Sequence, residues 1–235
     1  MFEQRLTAEQ RRKAIVRAVL PVFARKGFAN TTTRELAEAA GVSEALIYKH
    51  FPSKQSLYAE IQNAGCKDKD HGLEKLAGVE PSTSTLVHIL YYLLRTIVIG
   101  RPGDTISWEI KHRMTLNSCL EDGEFTRLLY ENRFSCCFDK VQACLTAAEE
   151  AGDIVKSPIS RQNRVRFAHH LAAMIAVNHL PKNPVIDYQV DREELLHQVV
   201  WFVLRGVGLT DKAIARHYNP RALSVFFGVG SQQNF

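Results

Sequence analysis

The sequence has no apolar run long enough to cross a bilayer. Its most hydrophobic stretch, Leu86 to Gly100, is short and interrupted by His88, Arg95 and Thr96. No charged leader with an apolar core opens it, which places the chain in the cytoplasm as an expectation, with no membrane partner. Five cysteines (Cys66, Cys119, Cys136, Cys137, Cys144) are few, odd in number and without zinc-ligand spacing, so reduced thiols packed as small apolar groups are expected. His169 and His179 stand ten apart, with no carboxylate or thiol at helical ligand spacing beside them, and no metal or other cofactor is expected. Gly-rich phosphate loops and nucleophile elbows are also missing, which argues against an enzyme. No segment alternates at period two, and no internal repeat or low-complexity run occurs, so the fold class is all-α.

Helix signals dominate what remains. Thr7 with Gln10 forms a capping box, and Ile15, Val19, Val22 and Phe23 make an inward stripe that ends at Gly27. Pro21 inside this helix should bend it or loosen a turn. Ser53 starts a helix carrying Leu57, Tyr58 and Ile61 to about Gly65. Residues 66–81 are charged and contain glycine, which suggests a linker or a frayed helix end. Leu86, Leu90, Leu93, Leu94 and Ile97 give a helix that is apolar on most sides and therefore central. Shorter and longer helices are expected around Ile106 to Met114, over Glu124 to Ala151, from Ser160 to Leu180, and from the Asp191–Glu194 cap through Val203. A last short one follows Thr210. The divisions expected are 1–52 for an N-terminal three-helix head, 53–65 for a connecting helix, 66–218 for a helical body and 219–235 for a tail without clear pattern.

The sharpest signal lies in Thr31 to Lys54, TTTRELAEAAGVSEALIYKHFPSK. Thr32 with Glu35 caps a first short helix whose Leu36 and Ala40 face inward. Gly41 supplies a tight turn, Ser43 caps a second helix, Ile47 and Phe51 form its buried stripe, and Pro52 stops it. Glu44, Ala45, Tyr48 and Lys49 are left on one outward face, of a kind a DNA major groove admits. Charge agrees: residues 1–60 hold ten Lys/Arg against six Asp/Glu, whereas the rest is nearly neutral.

This segment resembles the TetR (tetracycline-repressor-type) family of transcriptional regulators over roughly the first 65 residues. The shared pattern is Thr31-Thr32, Leu36-Ala37, Gly41-Val42-Ser43, Ile47 through Phe51, and Lys54; Pro21 departs from it. The resemblance implies double-stranded DNA as a partner, with phosphate contacts from Thr33, Ser43, Tyr48, His50 and Lys54. Glu44, Ala45, Leu46 and Lys49 would approach base edges. It also implies a homodimer formed by the last two long helices. Ala168, Ala172 and Ala176 make a narrow row there, and Leu196, Val199, Val200 and Val203 a second stripe. Since a lone recognition helix reads few base pairs, a palindromic operator is expected. The body should hold a hydrophobic or amphipathic small-molecule effector that releases a repressor from DNA. Tyr91, Trp108, His112, Arg113, Asn132, Phe134, Phe138 and Asn178 are candidate lining residues. The alternatives are a regulator without an effector, or one controlled by a partner.

Overall fold

The computed structural model describes residues 6–67, 71–101, 104 and 106–228, giving only the backbone for 62–67, 71 and 132–136. Among the described residues all regular structure is helical, apart from one isolated antiparallel bridge between Ile154 and Leu209. The helices are α1 (Ala8–Lys26), α2 (Thr33–Ala40), α3 (Glu44–His50), α4 (Lys54–Lys67), α5 (His71–Ala77), α6 (Thr83–Val98), α7 (Trp108–Leu120), α8 (Glu124–Glu150), α9 (Arg161–Asn178), α10 (Arg192–Gly206), α11 (Asp211–His217) and α12 (Pro220–Phe227). Among the described residues, no helix is long and apolar enough to cross a membrane.

The chain divides into two compact units, residues 1–68 with 104–133, and 69–103 with 134–235. In the first, α1 packs against α2, α4 and α7 around Ile15, Val19, Phe23, Leu36, Ile47, Phe51, Leu57, Ile61, Met114 and Phe125. The sequence grouped residues 104–133 with the body; here they close over the head. Asn117 Nδ2 donates to Ala24 O at 2.9 Å, satisfying a carbonyl in the last turn of α1 that has no helical partner. Pro21 does not interrupt α1: it lies on the exposed side, where the missing N–H leaves only a solvent-facing carbonyl unpaired.

In the second unit α6 is the centre. Leu86, Val87, Ile89, Leu90, Tyr91 and Leu94 are all buried, as its all-round apolar pattern requires, and α9, α10, α11, α12 and α5 pack on it. Two elements depart from the sequence expectation. Part of the presumed linker is α5, whose Leu76 is buried in this core. The tail begins with α12, capped by Asn219, opened by Pro220 and closed by Gly228 in the left-handed conformation (φ 65°). Its Phe227 lies against Tyr91 and Tyr92, which is the local reason it folds back onto α6.

Candidate nucleic-acid interface

The turn between α2 and α3 is built from local signals. Thr32 accepts from the Glu35 backbone N–H while Glu35 reaches back to the Thr32 N–H at 2.9 Å, closing the expected capping box. The Lys26 ammonium also bonds the Glu35 carboxylate, and together with the Thr32 contacts this lowers its pKa to about 2. Gly41 takes φ 62° and its N–H returns to the α2 carbonyls, reversing the chain where a Cβ would strain the backbone. Ser43 Oγ accepts from Leu46 N–H at 3.2 Å and starts α3. Ile47 and Phe51 are buried, which turns the opposite side of α3 outward.

On that outward side Glu44, Ala45, Tyr48 and Lys49 are exposed, as the sequence spacing requires, and Leu46 and His50 are half-buried. The Tyr48 hydroxyl lies 3.1 Å from Thr33 Oγ1 on the first turn of α2. One hydroxyl hydrogen bridges the two oxygens, and the other can point away from the protein. The pair therefore presents a donor from two different helices at one spot.

Lys54 sits differently from its expected phosphate role. Its ammonium donates to Phe28 O at 2.8 Å and Thr31 O at 2.9 Å, and lies 4.2 Å from the Phe28 ring centroid. It ties the start of α4 to the turn before α2, and two of its three donors are committed there. Arg12 is similar: it donates to His50 O at 2.7 Å, pairs with Glu60 at 2.7 Å and covers the Phe51 ring. Glu121, unremarked in the sequence, reaches the same end of the head. Its Oε1 accepts from Ala29 N–H at 3.3 Å and would lie only 2.3 Å from any Cβ at Gly27. Tyr58 is enclosed by Phe23, Phe28 and Phe125, and burial, then the charges of Glu121, Asp122 and Glu124, push its pKa up. Only proximity in space could have disclosed Glu121, because its own sequence neighbourhood reads as a plain helix end.

The second unit holds a half-open cavity of about 260 Å³ lined by Leu73, Glu74, Leu76, Ala77, Ile89, Cys137 and Lys140. Among the described residues, none of the expected pocket residues lines it. Tyr91 is wholly buried, its hydroxyl 3.0 Å from Ser224 Oγ and its ring stacked on Phe227. Trp108, His112 and Arg113 belong to α7 in the first unit, with the Trp108 and His112 rings 4.6 Å apart and Arg113 paired to Glu109. Asn178 is bound through both ends of its amide to the backbone of Ile186, so it shapes the loop after α9. Phe138 is half-buried on α8, away from that lining, and the side chains of Asn132 and Phe134 lie outside the described residues.

The expected dimer stripe also needs correction. Ala168, Ala172, Ala176, Leu196, Val199, Val200 and Val203 are buried within this single chain, where α9 and α10 pack on α6. The small residues let helices of the same chain approach. Large apolar side chains of α9 and α10 that stand exposed are Phe167 (56%), Met174 (65%), Trp201 (45%) and Phe202 (63%).

Comparison with known proteins agrees with the geometry of the head. The model of the family "Bacterial regulatory proteins, tetR family" matches residues 15–61. The regulator YvkB of Bacillus subtilis is 36% identical over 66 residues, 28% of this chain and 35% of that protein. The chain thus matches about a third of that relative's length, and less of several others. The transcriptional activator FasR of Mycolicibacterium smegmatis is 28% identical over 178 residues, 74% of this chain and 68% of that protein. A tetR-family regulatory protein from Rhodococcus RHA1 shares the fold, with a TM-score of 0.62 at 20% identity, over 85% of this chain and 98% of that one.

Proposed function

We propose that the chain, whose residues 15–61 match the model of the tetR family of bacterial regulatory proteins, is a DNA-binding transcriptional regulator of that kind, a dimer that grips a palindromic operator and is released by a small apolar effector. The observation that carries this reading is the outward face of α3 beside the Thr33–Tyr48 hydroxyl pair. A helix presenting Ala45 between Glu44 and Lys49 can lie close to the groove floor, with two charged arms for base edges and no bulk between them. The Thr33–Tyr48 pair donates its remaining hydroxyl hydrogen to phosphate, with Ser43 and His50 at the flanks of α3. Leu46, half-buried, offers an apolar edge, and Lys54 acts by holding the α1–α2 turn.

Two heads are needed, since specific readers of this kind place recognition helices about 34–36 Å apart on successive grooves. Phe167 and Met174, seven residues apart on one side of α9, together with Trp201 and Phe202 on α10, form the face assigned to the partner copy. The cavity between α5, α6 and α8 is the effector site in this reading, and only residues 68–70 separate α5 from α4 of the head. Inverting the bound and released populations takes about 5.5 kcal/mol of differential binding. Release from DNA makes it a repressor. Activation is the second reading, favoured by the name of the relative that aligns over 74% of the chain.

A gel shift with genomic fragments under excess competitor DNA tests the first part. A single retained fragment class carrying an inverted repeat, bound by two chains, is expected; equal retention of all fragments would overturn operator recognition. Adding compounds that raise the Tm of the protein to that complex tests release, and stabilisers that leave operator affinity unchanged remove the effector from the reading.

A further inference from the structure

The cavity in the second unit has a wall of one character and a mouth of mixed charge. Leu73, Leu76 and Ala77 come from α5, Ile89 from α6 and Cys137 from α8. The two charged residues of the lining, Glu74 and Lys140, stand against each other's ligands. Lys140 lies across the C-terminal end of α5, where its ammonium donates to the carbonyls of Ala77 (3.3 Å) and Val79. Its stem lines the cavity while its charge is spent on a helix end. An anionic guest would have to draw Lys140 off those carbonyls, and Glu74, one turn before Ala77, would repel it. A cationic guest would meet the Lys140 ammonium, which offsets the pull of the exposed Glu74 carboxylate, so neither sign of charge finds a net partner. A buried ion or amide without a partner is costly, and the rest of the lining supplies no charge.

From this we infer that the cavity selects an uncharged, apolar guest and excludes both carboxylates and amines of the same shape. The inference rests on the effector reading of this cavity and narrows its chemistry. A dry cavity of about 150 Å³ takes benzene, so one of about 260 Å³ takes a hydrocarbon body of roughly eight to twelve carbons. The Lys140 bridge gives such a guest a consequence. A body that fills the space between α5 and α8 bears on the side-chain latch that runs from the interior of α8 to the end of α5, Lys140 to Ala77 and Val79.

Calorimetry on the full chain with butylbenzene, 4-phenylbutyrate and 4-phenylbutylamine, which share a carbon skeleton, tests the inference. The hydrocarbon is expected to bind at least about ten-fold more tightly than either ion. Ala77→Phe, at an exposed position on the cavity rim, should abolish that binding without lowering Tm. Tighter binding of the acid or the amine overturns the uncharged class but leaves the cavity as the effector site. Hydrocarbon binding that survives both Ala77→Phe and Ile89→Trp overturns the cavity as its seat. Failure of all three compounds to bind overturns the inference outright, whereas the effector reading is decided separately by operator release in the wider screen.

Discussion

Three side chains of the head show how residue types that look alike in sequence do different work. Tyr48 is exposed with its hydroxyl against Thr33, so it can hand a proton outward. Tyr58 is wrapped in aromatic rings and held protonated. Tyr48→Phe should weaken operator and non-operator duplexes alike, by about 1 kcal/mol or roughly five-fold in a fluorescence titration, because a phosphate contact carries no sequence information. Lys54 gives the opposite expectation. Lys54→Met removes two bonds to backbone carbonyls and should destabilise the protein by about 1–2 kcal/mol in urea, with the salt slope of DNA binding unchanged. A slope lowered by one would return Lys54 to the phosphates. The motif identifies the lysine but not the acceptor, since carbonyl and phosphate oxygens attract an ammonium equally well. Glu35 adds a pH signature. Its pKa is lowered on folding from 4.5 to about 2 by Lys26 and Thr32, so the stability it confers is complete above about 4.5 and is lost as pH falls toward 2. In Glu35→Gln, the fall in Tm across that window should be shallower than in the parent.

Elements were legible wherever their signals are local. The caps at Thr7, Thr32, Ser43, Ser160, Asp191 and Thr210 all start helices where the sequence places them, because an N-cap needs only its own turn. The α12 start is equally local, Asn219-Pro220 ahead and Gly228 behind, but a helix of eight residues has no room for a long apolar stripe. What covers a helix face is not local. The alanine row of α9 and the valine stripe of α10 have the period of buried faces, and period alone cannot distinguish the chain's own α6 from a partner. The two cases separate in the laboratory. Ala172→Arg puts a long charged side chain into a core position with no exposure, and should cost several kcal/mol of protomer stability. Phe202→Glu, on the exposed side of α10, should instead give folded monomers by light scattering with little change in secondary structure. A dimer that persists in Phe202→Glu together with Met174→Glu moves the interface off this face.

At the scale of the whole molecule, charge is unevenly spent. The first 60 residues carry nearly all of the net +5, although Arg12 and Lys54 are turned to internal partners. Basic groups exposed on α1 to α3, such as Arg17, Arg25 and Lys49, are those the proposed reading assigns to the duplex. If a dimer engages about six to ten phosphates, affinity should fall by roughly 10³–10⁵ between 50 and 200 mM salt, and a titration across that range measures the number. The outward side of α3 has a further consequence. Glu44, Ala45 and Lys49 are exposed, whereas folding of the head depends on Ile47, Phe51, the Gly41 turn and the caps. In the proposed reading, target choice rests on exposed letters of α3, and foldability on its buried Ile47 and the residues that flank the helix. A duplicated copy of this gene can drift at the first set and acquire a new operator while keeping its stability, which makes the face a ready substrate for divergence of regulatory circuits.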